Sequence, residues 1–148
     1  MMRWLLIVML LGLMGCAGAV KTAGDVPRYD VVVIGSGLAG LTESFARFAL
    51  KGLGTPAPIA PTKHLVVSGL YRYVRNPMYL AVATVIVGQA LVLGQSVLLW
   101  YTAIFVLATA AFVYFYEQPT LRRQFGDEYR RYCESVPAWL PRVTPYRP

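Results

Sequence analysis

The sequence predicts an all-α polytopic membrane protein: about four transmembrane helices, a helical hairpin over residues 78–116, and a cytoplasmic C-terminal tail. Three observations lead there. The 148 residues are 57% hydrophobic and 14% charged, with a mean hydropathy of +0.52, whereas soluble domains carry roughly 25% charged residues. Apolar segments recur at 4–20, 31–50, 78–93 and 97–116, each near the length that spans a bilayer. With the amino terminus inside, 11 of the 14 lysines and arginines fall on the cytoplasmic side, and only Lys21 and Arg28 lie outside. Both termini are then cytoplasmic, as expected of a bacterial inner-membrane protein. The net charge of +7 does not read as nucleic-acid binding, because the basic clusters are separated by apolar segments rather than gathered on a soluble face.

The first segment follows a single basic residue, Arg3, and has two readings. It is either a retained span or a lipoprotein-like signal cleaved before Cys16 in Leu13-Met14-Gly15-Cys16. Residues 1–29 therefore form a leader or first span with a short loop, and residues 30–148 form the membrane domain. Cys16 and Cys133 lie in an apolar segment and a polar tail, so neither a disulfide nor a metal site is expected.

The second segment contains Gly35-Ser36-Gly37-Leu38-Ala39-Gly40, which matches the G-x-G-x-x-G fingerprint of dinucleotide-binding folds. Its required context is missing. No Asp or Glu stands between Glu43 and Glu117 to hold a ribose, and Pro56, Pro58 and Pro61 occupy the place of the second strand. The stretch reads instead as a membrane helix, with Asp30 capping its start. Ser36, Gly40 and Ser44 form a small-residue face for close crossing, which makes Gly40, rather than Gly37, the position that should not tolerate a large side chain. Glu43 and Arg47, at i and i+4, can pair near the helix end.

The third and fourth segments are separated only by Gly94-Gln95-Ser96, a turn short enough to make an antiparallel hairpin, and Pro77 suits the first turn of its first helix. Polar residues concentrate at the open end of this hairpin. Thr62 to Leu80 carries two arginines and three tyrosines around Asn76-Pro77, and Glu117 stands where the fourth segment ends. A carboxylate at that depth is costly unless it is partnered, so it marks a functional position. The hairpin should bring Arg75, Asn76 and Tyr79 to face Glu117. His64 reads as an incidental interface residue, and Trp139, Phe125 and Tyr129 as packing the tail against the membrane surface.

Residues 45–142 resemble the isoprenylcysteine carboxyl methyltransferases and the related phospholipid methyltransferases. The resemblance rests on Arg75-Asn76-Pro77-Met78-Tyr79, the hairpin, the acidic position Glu117 and the closing "FGDEYRRYCESVPAWLPR". It implies transfer of a methyl group from S-adenosylmethionine to a lipophilic acceptor at the cytoplasmic face of the bilayer. Arg75 and Glu117 would be the catalytic positions. Leu65, Gly69, Tyr71, Tyr73, Arg75, Asn76, Pro77, Tyr79, Glu117 and Gln118 would hold the cofactor, and Arg142 would meet an acceptor carboxylate. Asn76 stands where many members have His, and Gln118 where a second Glu is usual; Gln can hydrogen-bond but cannot balance a sulfonium charge. Two rival readings are a non-enzymatic member that has lost catalysis and a flavin or nicotinamide oxidoreductase resting on the glycine fingerprint alone.

Overall fold

The computed structural model describes residues 28–52 and 64–147. The first apolar segment, Cys16 and the proline-rich stretch lie outside the described residues. Those described are helical or irregular, with no strand among them. Helix α1 is Arg28–Gly52, a short 3-10 turn is Gly69–Arg72, α2 is Pro77–Leu93 and α3 is Val97–Phe112. A π-turn, Val113–Glu117, joins α3 to α4, Gln118–Ser135, so that Val97–Ser135 is a helical run of 39 residues, broken in direction at Gly126.

The glycine fingerprint lies inside α1, which begins at Arg28, before the valines that would have formed a strand. A phosphate cradle needs a loop whose amides point outward, and here those amides belong to a helix. Asp30 is accordingly within the first helical turn and buried rather than a flanking cap.

α1 packs antiparallel on α2, and glycine decides the register. A Cβ on Gly37 would lie 2.8 Å from Val85 Cγ2, 3.0 Å from the Val85 amide nitrogen and 3.1 Å from the Ala81 carbonyl oxygen. Gly88 gives α2 the reciprocal flat spot, against Ile34. At Gly40 the nearest atoms would be 3.6 and 3.7 Å away, an ordinary contact. The crossing therefore centres on Gly37, not on Ser36 and Gly40; Ser36 faces outward, while Ser44 is fully buried. Helical spacing alone offered several small-residue faces, and the facing Val85 and Ala81 select this one.

α2 turns into α3 through Gly94, whose φ of 63° is the left-handed conformation that glycine adopts without strain; its amide donates to Ala90 O and Leu91 O. Val82, Ile86, Ala90, Leu98 and Phe105 form the core between the two helices, with Leu41 of α1 packed against it. The opposite face of α3 leaves Trp100 74%, Ile104 64% and Leu107 70% exposed, a surface suited to lipid. Val97–Ser135 is the one helix among the described residues long and apolar enough to cross a membrane. α2, 17 residues long and largely apolar, is a shorter helix, and α1 carries Asp30, Glu43 and Arg47.

The helix does not stop at Tyr116. Pro119 lacks an amide hydrogen, and its ring would press on the carbonyl four residues back in a regular helix. The wider π-turn precedes it, with Gln118 N–H reaching back to Val113 O. Gly126, at φ 52° and ψ −124°, then kinks α4. Tyr129, Tyr132 and Val136 form a second core with Leu65 and Val67, so the chain after α3 folds back on the start of the hairpin instead of trailing away.

Candidate active site

The segment between the 3-10 turn and α2 is held by the last residues of the chain. Arg75 N–H donates to Pro137 O at 3.0 Å, Arg142 N–H to Tyr73 O at 3.0 Å, and Tyr146 N–H to Arg72 O at 2.9 Å. Asn76 adds a side-chain bond from Nδ2 to Ala138 O at 3.1 Å, and Tyr132 Oη donates to Tyr71 O at 2.6 Å. Buried backbone groups require partners, and residues 137–146 supply them to a segment too irregular to satisfy itself. Gly69 is needed for two reasons: its φ is 60°, and a side chain there would collide with the Glu43–Arg47 ion pair of α1.

This scaffold places Tyr79, in the first turn of α2, against Glu117, the last residue of the π-turn. Tyr79 Oη donates to Glu117 Oε2 at 3.2 Å. Trp139 closes on the tyrosine from the returning segment, with ring centroids 6.3 Å apart. Tyr71 is buried nearby. Burial pushes its phenol above the ordinary range, and the charge of Glu117, the neighbouring Tyr132 and the charge of Glu43 push it further the same way. Tyr71 thus lies within the electrostatic reach of two carboxylates from different helices.

The side chains of Arg75 and Asn76 hydrogen-bond to the returning chain and not to Glu117. Arg75 Nη1 approaches Cys133 Sγ at 2.8 Å, while its buried Nε has no partner. Both residues precede α2, and α4 and the segment after it supply their side-chain partners. Arg142 Nη1 donates to Ser135 O at 2.6 Å and Nη2 to Thr144 Oγ1 at 3.1 Å, tying the returning segment to the end of α4. Leu65 packs on the second core, Pro77 is buried at the head of α2, and Gln118 is half-buried beside Glu117. Gly69 and Tyr73 line an open groove against α1. His64 is exposed, and no group of three or more metal-ligating side chains occurs among the described residues.

Sequence reasoning missed the contacts of Cys133 with Arg75 and of Trp139 with Tyr79. Neither has a local signal, since each joins residues about sixty positions apart.

The comparisons with known proteins fit this architecture. A family model described as phospholipid methyltransferase matches residues 31–128, about two thirds of the chain, from α1 through the π-turn into α4. The chain belongs to the phospholipid methyltransferase family. The matched span contains Tyr79 and Glu117 and ends before the C-terminal segment that clamps the site. An uncharacterized protein of Haemophilus influenzae is 38% identical over 63 residues, which is 43% of this chain and 100% of that one. No solved structure matches significantly. Membership of this family supports methyltransferase activity in general and, with the apolar helix Val97–Ser135, association with a membrane.

Proposed function

We propose that the protein transfers a methyl group from S-adenosylmethionine to a lipophilic acceptor at the cytoplasmic face of a membrane, in the manner of the isoprenylcysteine carboxyl methyltransferases. The observation that carries this reading is the contact of Tyr79 with Glu117 at the mouth of the hairpin. A half-buried carboxylate with no basic partner among the described residues is a costly arrangement, and a cationic ligand would relieve it. Arg75 Nε, buried and unpartnered, is a complementary donor for a ligand carboxylate. S-adenosylmethionine carries both groups, so these residues fit it: Glu117 would hold its amino or hydroxyl groups and Arg75 its carboxylate.

Bound there, the cofactor supplies an electrophilic methyl group on a sulfonium. The protein's own part is positioning and the exclusion of water. Tyr79 fixes the rotamer of Glu117, Trp139 shields that pair, and the bonds from residues 137–146 hold the 3-10 segment still. No general base is needed if the acceptor is already ionised. The basic residues flanking the helices favour a cytoplasmic site in a bacterial inner membrane.

Membranes carrying the protein, incubated with methyl-labelled cofactor and a lipid extract, should yield a labelled, organic-soluble product. Glu117→Gln should abolish it while leaving the protein folded. Equal label with the variant would sink the assignment of Glu117. Gln118 favours a second reading, a member without catalysis, because it cannot ionise beside Glu117. No labelled product from any lipid fraction, with cofactor binding intact, supports that reading.

A further inference from the structure

Trp139 and Leu140 are neighbours in the returning segment, and they are placed in opposite ways. Leu140 is 79% exposed, whereas Trp139 is half-buried and set against Tyr79, with ring centroids 6.3 Å apart. A tryptophan that only anchors a chain to the membrane surface presents its ring to the headgroups. Here leucine takes the outward position, and the indole lies at the mouth of the hairpin.

Its mounting is fixed on both sides. Arg75 N–H donates to Pro137 O and Asn76 Nδ2 to Ala138 O before the tryptophan, and Arg142 N–H donates to Tyr73 O after it. A ring held in place by the fold costs a ligand little ordering when the two meet.

The rings of Trp139 and Tyr79 meet at 40°, neither stacked nor edge-on, and both residues are only half-buried, so part of each ring stays open. Tyr79 Oη also donates to Glu117 Oε2 at 3.2 Å. No lysine or arginine among the described residues forms an ion pair with that carboxylate. Two aromatic rings beside one carboxylate, without a cation of the protein's own, complement an onium group. Such a cation has no N–H to donate, and it is held by the ring quadrupole, most strongly that of tryptophan, and by nearby negative charge.

We infer that Trp139, together with Tyr79, recognises the sulfonium charge of S-adenosylmethionine and so separates the methyl donor from its demethylated counterpart. The inference rests on the methyl-transfer reading and adds to it a residue beyond the span 31–128 that the family model matches. The spent cofactor is a neutral thioether, which offers the rings and Glu117 no charge to attract. Trp139 thus favours binding of the donor and release of the product.

Calorimetric titration of S-adenosylmethionine and, separately, S-adenosylhomocysteine into the detergent-solubilised chain tests this without reference to turnover. Trp139→Leu, which keeps an apolar side chain but no ring, should weaken the charged ligand about fivefold to thirtyfold, the span of a cation–π contact from exposed to desolvated settings. The neutral ligand should change by less than about twofold, because it makes no such contact. Trp139→Phe keeps a ring against Tyr79 and serves even if Trp139→Leu does not fold; its loss should be smaller and again confined to the charged ligand. An equal loss of both ligands, or no loss of either, would overturn the inference while leaving methyl transfer standing. A parent protein that binds neither ligand would overturn both.

Discussion

Replacing Gly37 and Gly40 separately by alanine isolates the contact that fixes the register of α1 on α2. Both lie within the same helix, so both substitutions gain the same helical preference of alanine over glycine, about 0.8–1.0 kcal/mol. What differs is the neighbourhood. At Gly37 the added Cβ meets the Val85 amide at 3.0 Å and the Ala81 carbonyl at 3.1 Å; backbone cannot rotate away, so α1 must lift from α2. At Gly40 it meets Leu70 Cδ1 and Ala81 Cβ at 3.6 and 3.7 Å, with nothing displaced. Overpacking of this kind costs roughly 1–3 kcal/mol. The shared gain cancels in the comparison, so Gly37→Ala should be less stable than Gly40→Ala by about that amount, and Gly40→Ala should equal or exceed the parent. Unfolding followed in detergent micelles gives the difference directly. Coincident transitions, or a less stable Gly40→Ala, would refute the register.

Three further outcomes follow from the site. Tyr132→Phe removes the 2.6 Å bond to the Tyr71 carbonyl and leaves that acceptor buried without its partner, at a cost of about 1–3 kcal/mol measurable by denaturant unfolding. Tyr79→Phe keeps the ring on Trp139 but frees Glu117; cofactor Kd should rise roughly tenfold or more, the range for a hydrogen bond to a charged group, while the melting temperature moves little. The Tyr71 phenol is held above its ordinary value of 10.0 in the folded protein, so its stabilising contribution is complete below pH 10 and falls as pH rises beyond it, by at most about 1.4 kcal/mol per unit. Tyr71→Phe should make alkaline unfolding less steep, and an unchanged alkaline profile would show that Tyr71 is not the responsible group.

The hairpin was legible because its signals are local. Pro77 opens α2, Gly94 closes it, and three residues separate it from α3. The helical nature of the glycine fingerprint was legible from what surrounds it, above all the missing acid downstream. The path of the chain after Tyr116 was not. Pro119 and Gly126 are both residues that ordinarily interrupt a helix, yet a π-turn absorbs the first, and the second only kinks the run that ends at Ser135. The register of α1 was hidden too, since small residues occupy more than one face and only the shape of α2 chooses between them. Within the site, the approach of Tyr79 to Glu117 followed from the antiparallel hairpin. The diversion of Arg75 and Asn76 did not, because it depends on Pro137, Ala138 and Cys133, which carry no periodic or motif signal toward residues sixty positions earlier.

On the proposed function, the mouth of the hairpin binds S-adenosylmethionine through Glu117. Calorimetric titration of the cofactor into the detergent-solubilised chain and its Glu117→Gln variant tests it most directly. The parent should give saturable heat, with an affinity weakened roughly tenfold to a hundredfold in the variant, the loss expected for one charge-assisted bond in a partly buried site. Absence of heat with the parent protein, or identical affinities for the two, would contradict it.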